Sequence, residues 1–285
     1  MRVGDFELYL FAAGGWHNDG GATFGVVPKV LWERQKPADE KNLIPSACNV
    51  LVVRHGGRVF VCETGIGDKL GEKRARQVQQ WEPEGLLAGL RRLGIRPQEV
   101  DVVLTSHLHW DHAGGFTRRG EGGSVELTFP RARHFVQRSE LEFALHPDPR
   151  SAAGGYVAED FVPVADAGLL ETVEGEAEIL PGVVLRQVGG HTPGSQLILF
   201  RAGELAVCLT GDLVGMTPHL RLTWTGGADL DVLRVIEEKA RLLEEASRHR
   251  WLLVLGHETE QPAGYLEAGG SWVPAGAGLA PPASA

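Results

Sequence analysis

The stretch Val102-Val103-Leu104-Thr105-Ser106-His107-Leu108-His109-Trp110-Asp111-His112-Ala113-Gly114-Gly115 decides how the chain is read. A strand-like run ends at Ser106, and three imidazoles and a carboxylate follow within six residues, a density that surface decoration does not produce. A tight loop after a strand points His107 and His109 at one centre while Asp111 and His112 face another, which suits two cations. Imidazole with carboxylate favours zinc, iron, manganese or nickel over calcium or magnesium. With no cysteine nearby, a structural thiolate site is ruled out.

Two cations need more ligands than one loop supplies, so further ligands are expected in equivalent places. His191 follows the run Val183 to Gly190, Asp212 follows Leu205 to Gly211, and His257 follows Trp251 to Gly256. Each ends an apolar run just after a glycine that lets the backbone turn. Ligands at strand ends converge on one edge of a sheet, where a rigid scaffold holds an open site. Taken singly, a turn histidine or a Gly-Asp pair is ordinary structure. Together with the dense loop they read as one site.

Working outward, period and breakers predict strands over 48–54, 58–63, 100–105, 133–137, 183–188, 196–200, 204–210 and 251–255. Helices are expected over 84–93, with Leu86, Leu87, Leu90 and Leu93 on one face, and over 229–247, with Leu230, Leu233, Ile236, Leu242 and Leu243. A shorter helix over 138–145 is expected to open with Ser139 and Glu142 as a capping box. The plan is mixed α/β: one domain over 1–273, pseudo-duplicated about a Gly- and Glu-rich region near 151–178. The small, Pro-rich stretch 274–285 is expected to be a flexible tail.

Composition narrows the function. At 43% hydrophobic and 23% charged, 285 residues suffice for a sizeable core and exclude disorder and collagen. No apolar run approaches the roughly 20 residues that cross a bilayer, and the acidic start lacks the form of a secretory signal. A cytoplasmic protein that engages no membrane is expected. A net charge of −9 argues against a nucleic-acid partner. Cys48, Cys62 and Cys208 are odd in number and set in apolar runs, so they are expected to be buried thiols. Neither a GxSxG elbow nor a P-loop is present.

The HxHxDH loop, then His191-Thr192-Pro193-Gly194, Thr210-Gly211-Asp212 and Gly256-His257, in this order, resemble the metallo-β-lactamase superfamily of hydrolases. The segments from Asp19 to Lys29 and from Gly211 to Leu220 look most like its branch of N-acyl-homoserine-lactone lactonases and related lactone or organophosphate hydrolases. The resemblance implies a four-layer αβ/βα sandwich with two mixed β-sheets flanked by helices. It also implies that His107, His109 and His191 hold one metal, that Asp111, His112 and His257 hold a second, and that Asp212 bridges them. The ions are two divalent cations, zinc by preference, with iron or manganese as alternatives. Two positions depart from the pattern. Glu63 stands where many members carry aspartate, and Gly215 stands where these lactonases carry a tyrosine that assists the substrate. His219 is the nearby candidate to replace that tyrosine, the plainer alternative being an exposed loop histidine. Phe24 and Trp32 are the expected substrate-binding aromatics, with His219 beside them.

A hydroxide bridging the two ions would attack a lactone, ester or related carbonyl or phosphoryl centre, with Asp111 taking the proton and returning it to the leaving group. The substrate is then a small molecule, and a homodimer is in keeping with relatives. The alternatives are a glyoxalase-II-like thioesterase and a single-iron oxidoreductase like the persulfide dioxygenases. A flavodiiron protein requires a carboxylate where His109 stands, and a degenerate scaffold would have lost a ligand.

Overall fold

In the segment Val50-Leu51-Val52-Val53, alternate side chains leave opposite faces of a strand, and both sets are buried. Leu51 and Val53 pack with Phe60, Leu104, Leu185, Ile198 and Phe200. Val50 and Val52 pack on the other side with Leu86, Leu90, Phe161 and Val164. A strand apolar on both faces needs a layer against each.

The computed structural model describes residues 1–82, 85–267 and 269–276, and in it two seven-stranded sheets stack face to face. The first runs in spatial order Arg2–Val3, Phe6–Asp19, Leu43–His55, Arg58–Cys62, Val102–Leu104, Arg133–Gln137 and Leu170–Val173. Its pairing is antiparallel as far as Arg58–Cys62 and parallel beyond. The second runs Glu176–Leu180, Val183–Gln187, Gln196–Ala202, Leu205–Leu209, Leu252–Val254, Ala263–Leu266 and Trp272–Pro274. Here Leu205–Leu209 and Leu252–Val254 pair in parallel and the other neighbours antiparallel. Helices Gly85–Arg92 and Ala158–Asp166 cover the outer face of the first sheet, and Val232–His249 covers that of the second. These four layers with mixed sheets are the expected sandwich. Among the described residues, no helix is long and apolar enough to cross a membrane.

Several expectations are corrected. The long first strand, Phe6–Asp19, is hidden in the sequence because its register slips between Ala12 and Gly15, where Gly14 is left-handed (φ 84°), and the slip breaks the alternation. The long helix begins at Val232 behind an Asp231 cap, so Leu230 lies before it. Leu233 is 74% exposed, off the buried stripe Val235, Lys239, Leu242 and Ala246. Ser139 sits inside the helix Arg138–Leu145 and accepts from Gln187 instead of capping it. The region near 151–178 holds the helix Ala158–Asp166 and the strand Leu170–Val173, and the crossing from one sheet to the other falls within it. Pro274 belongs to a strand paired with Ala263–Leu266, so the expected tail does not begin there; residues 277–285 of it, like Glu84 of the expected helix, lie outside the described residues. Cys48, Cys62 and Cys208 are free and buried.

Candidate metal centre

The strand Val102–Leu104 ends beside the one-turn helix Trp110–Ala113, which carries Asp111 and His112. This loop is held from outside: Thr64 donates both its N–H (2.9 Å) and its hydroxyl (2.8 Å) to the His112 carbonyl, and Lys69 donates to the carbonyls of Gly114 and Thr117. His191 follows two left-handed glycines, Gly189 (φ 67°) and Gly190 (φ 88°), and Asp212 follows Gly211 (φ 49°). A Cβ at Gly211 would fall 2.4 Å from Cβ of Ser106, next to His107, so only glycine lets these two strand ends approach. Gly256 is different, since its backbone is not left-handed. His257 is fixed by its ring Nδ1, 2.9 Å from the Ala47 carbonyl, and by its N–H to Gly215 O.

The seven residues meet. His109 Nδ1 lies 2.9 Å from His107 Nε2 and 3.2 Å from His191 Nε2. His112 Nε2 and His257 Nε2 are 3.1 Å apart, and Asp111 Oδ2 lies 3.8 Å from each. The donor atoms of His107, His109 and His191 form one group within 4.8 Å of one another, and those of Asp111, His112 and His257 form another. Asp212 lies between them: its Oδ2 is 3.1 Å from His191 Nε2, and its Oδ1 is 2.8 Å from His257 Nε2 and 3.3 Å from His112 Nε2. That Oδ1 is buried and makes no hydrogen bond despite its neighbours. An orphaned carboxylate oxygen among converging imidazole nitrogens fits a cation, which would satisfy oxygen and nitrogen lone pairs together.

The electrostatics follow from this crowding. Burial opposes charge on Asp212, yet His257, His112 and His191 hold its carboxyl well below the usual range. Burial opposes charge on His112 too, but Asp212, Glu63 and Asp111 hold it well above its ordinary value. At His191, Asp212 and Asp229 outweigh burial and raise the ring to about 9. His107 and His109 go the other way: burial, then the neighbouring imidazoles, push both well below. Protons therefore collect on the rings around Asp212, where a divalent cation would replace them.

A further ring of contacts orients these side chains. Glu63 sits in a left-handed conformation (φ 63°) and reaches His112 Nδ1 at 3.2 Å, while accepting from Thr105 Oγ1 (2.8 Å) and Ser106 N (2.9 Å). The residue one methylene longer than aspartate thus still meets its histidine. Sequence reasoning missed three others. Asp229 Oδ1 lies 2.7 Å from His191 Nδ1. Glu140 is fully buried and accepts from Leu108 N (2.9 Å), Tyr156 OH (3.0 Å) and Thr192 Oγ1 (2.5 Å), and Tyr156 packs its ring 4.7 Å from that of His109. None carries a local signal, because each acts on a ligand far away in the chain.

A cavity of ≈ 80 Å³ opens onto His191, Asp212 and His257, and Thr23, Gly215, His219, Trp224 and Lys239 also line it. His219 is not an exposed loop residue: its Nε2 lies 3.1 Å from the Thr23 carbonyl, and burial with the nearby Lys239 charge lowers it to about 4. Phe24 and Trp32 are absent from the lining. They stack on each other at 5.2 Å in a buried cluster with Ile44, Met216 and Trp224, and Phe24 backs His219 at 5.1 Å. The turn capped by Asp19, whose carboxylate accepts from Ala22 N, leaves Phe24 fully buried and Thr23 on the cavity wall.

Residues 43–257 match the family model described as the metallo-beta-lactamase superfamily. The N-acyl homoserine lactonase AttM of Azorhizobium caulinodans is 32% identical over 197 residues, which cover 66% of this chain and 70% of that protein. The matches to this protein and two similar lactonases span 66–70% of the relatives' own lengths. Among solved structures, a probable metal-dependent hydrolase from Staphylococcus aureus is 27% identical and superposes with a TM-score of 0.89, covering 97% of this chain and 99% of that one. AidC, a dizinc quorum-quenching lactonase, superposes with a TM-score of 0.77 over 96% of each chain at 18% identity, a likeness of fold alone.

Proposed function

The chain belongs to the metallo-beta-lactamase superfamily and is a hydrolase of that fold; from that premise we propose that it opens lactones at a centre of two divalent cations, zinc by preference. The observation that carries this is Asp212, whose Oδ1 faces His112 and His257 while its Oδ2 faces His191. His107, His109 and His191 would hold one ion and Asp111, His112 and His257 the other, with Asp212 shared between them. Imidazole and carboxylate donors without thiolate suit zinc held for catalysis. Once bound, the ions supply Lewis acidity to the substrate carbonyl and make water acidic enough to attack near neutral pH.

The chain's own groups do the rest. Asp111 reaches the centre with Oδ2 and takes a proton there from the attacking water, then returns it to the alkoxide that leaves the opened ring. His219, neutral and with Nε2 engaged by Thr23 O, contacts substrate through its other nitrogen and is no source of protons. Phe24 and Trp32 act behind it, fixing its ring rather than touching substrate. The lactone class is supported by the curated relatives, which are N-acyl homoserine lactonases. Free buried thiols support a reducing, cytoplasmic setting.

Total metal analysis and a substrate panel test the proposal together. About two equivalents per chain and turnover of a lactone ahead of a thioester, an aryl phosphotriester and a β-lactam are expected. One equivalent, or preference for the thioester, would overturn it.

A further inference from the structure

The buried stripe of the helix Val232–His249 contains a lysine. Lys239 is 1% exposed and lines the same cavity as His191, Asp212 and His257. Its Nζ donates to one acceptor, the Trp224 carbonyl at 2.6 Å, so two of its three N–H groups have no partner among the described residues. The carboxylate that most favours its charge, Asp229, is beyond ion-pair distance and has both oxygens engaged, by His191 Nδ1 and by Gly226 N (2.8 Å). Burial lowers Lys239 to about 8. A strut tying the helix to the Trp224 loop needs a single donor and no charge, and a methylene chain would bury at lower cost. The lysine therefore lines the cavity with donors to spare. At ≈ 80 Å³ that space is large enough for a small polar group beside the ammonium.

We propose that Lys239 is a specificity-determining residue: its ammonium receives an acceptor oxygen of the substrate other than the carbonyl oxygen attacked at the metal centre. The inference rests on the hydrolase reading for the attacked group, and its own content is the second oxygen. Two sources share this chemistry, an amide carbonyl and a carboxylate.

Binding separates them. Zinc-loaded full-length protein is titrated calorimetrically with three γ-lactams, which mimic lactones without being opened. They carry an acetamido, a carboxymethyl or an isobutyl group of matched size beside the ring carbonyl. Lys239→Met should weaken the acetamido or the carboxymethyl ligand by about tenfold or more, the scale of a hydrogen bond to a charged group, while changing the isobutyl ligand by less than about threefold. Loss confined to one polar ligand identifies the source. Lys239→Gln, which keeps a neutral donor, should recover part of the loss and guards against a poorly folded methionine variant. Equal weakening of all three ligands, no weakening, or no binding of a polar ligand by the unaltered protein overturns the proposal. Turnover of the acetamido lactone by the unaltered protein is measured alongside. Its absence with the lactam discrimination intact would count against the hydrolase reading and leave the second-oxygen site standing.

Discussion

Asp229 Oδ1 lies 2.7 Å from Nδ1 of His191, so that imidazole meets the centre through Nε2 alone. A carboxylate behind a ligating ring fixes its tautomer and raises its basicity. Asp229→Asn keeps the shape and removes the charge. Zinc affinity, measured by competition with a chelator, should fall about 10–100-fold. An unchanged affinity would leave Asp229 as a turn residue only.

Asp212→Ala removes the carboxylate that faces both clusters. Metal content should drop by at least one equivalent per chain, and lactone turnover by about a hundredfold or more, the scale on which loss of one preorganised charge-stabilising group acts. Retention of both metals would show that the two groups of ligands do not share it.

Glu140 receives three hydrogen bonds, from the loop of His107 and His109, from the loop of His191, and from Tyr156. In Glu140→Gln an amide must place two donors where acceptors are needed. The loss in a urea unfolding experiment should be about 1–3 kcal/mol, and zinc should dissociate faster. Unaltered unfolding and dissociation together would remove Glu140 from the support of the site.

Lys239 is lowered to about 8 from an ordinary 10.5 by burial, with Asp229 opposing. The unfolded chain therefore binds more protons than the folded one between these values, and folding stability gains from rising pH in that window. Each unit is worth about 1.4 kcal/mol, giving up to about 3 kcal/mol in all. Unfolding free energies of the zinc-loaded protein and of Lys239→Met, compared at pH 7.5 and 10.5, should converge or cross in favour of the lysine at the higher pH. A constant difference would mean the ammonium is not buried as described.

The legible parts of the molecule are those whose signal is local. Apolar runs such as Val50 to Val53 announce the strands of an α/β protein, the sandwich follows from the resemblance, and His107, His191, Asp212 and His257 are readable because each comes three or four residues after a strand ends. Asp229, Glu140 and Lys239 are not readable in that way. The first looks like an acid opening a helix and the other two like ordinary charges on helices, and their roles arise only when distant segments pack. Aromatic rings such as Phe24 and Trp32 fit a core and a substrate wall equally well on sequence alone, and the folded chain puts them in the core. Leu233 misleads for a related reason: apolar spacing locates a helix but cannot say which of two adjacent stripes meets the sheet.

The first sheet ends at Val173 and the second begins at Glu176, so among the described strands the backbone crosses between them once, through Glu174 and Gly175. Each candidate trio nevertheless draws on both sides of that crossing, His107 and His109 with His191, Asp111 and His112 with His257. A cation in either trio would be a rivet between two leaves already joined by one crossing and a packed core. Nicked at Gly175, the leaves would stay together on their shared core, and a chelator that draws the rivets would lower the stability of the nicked pair.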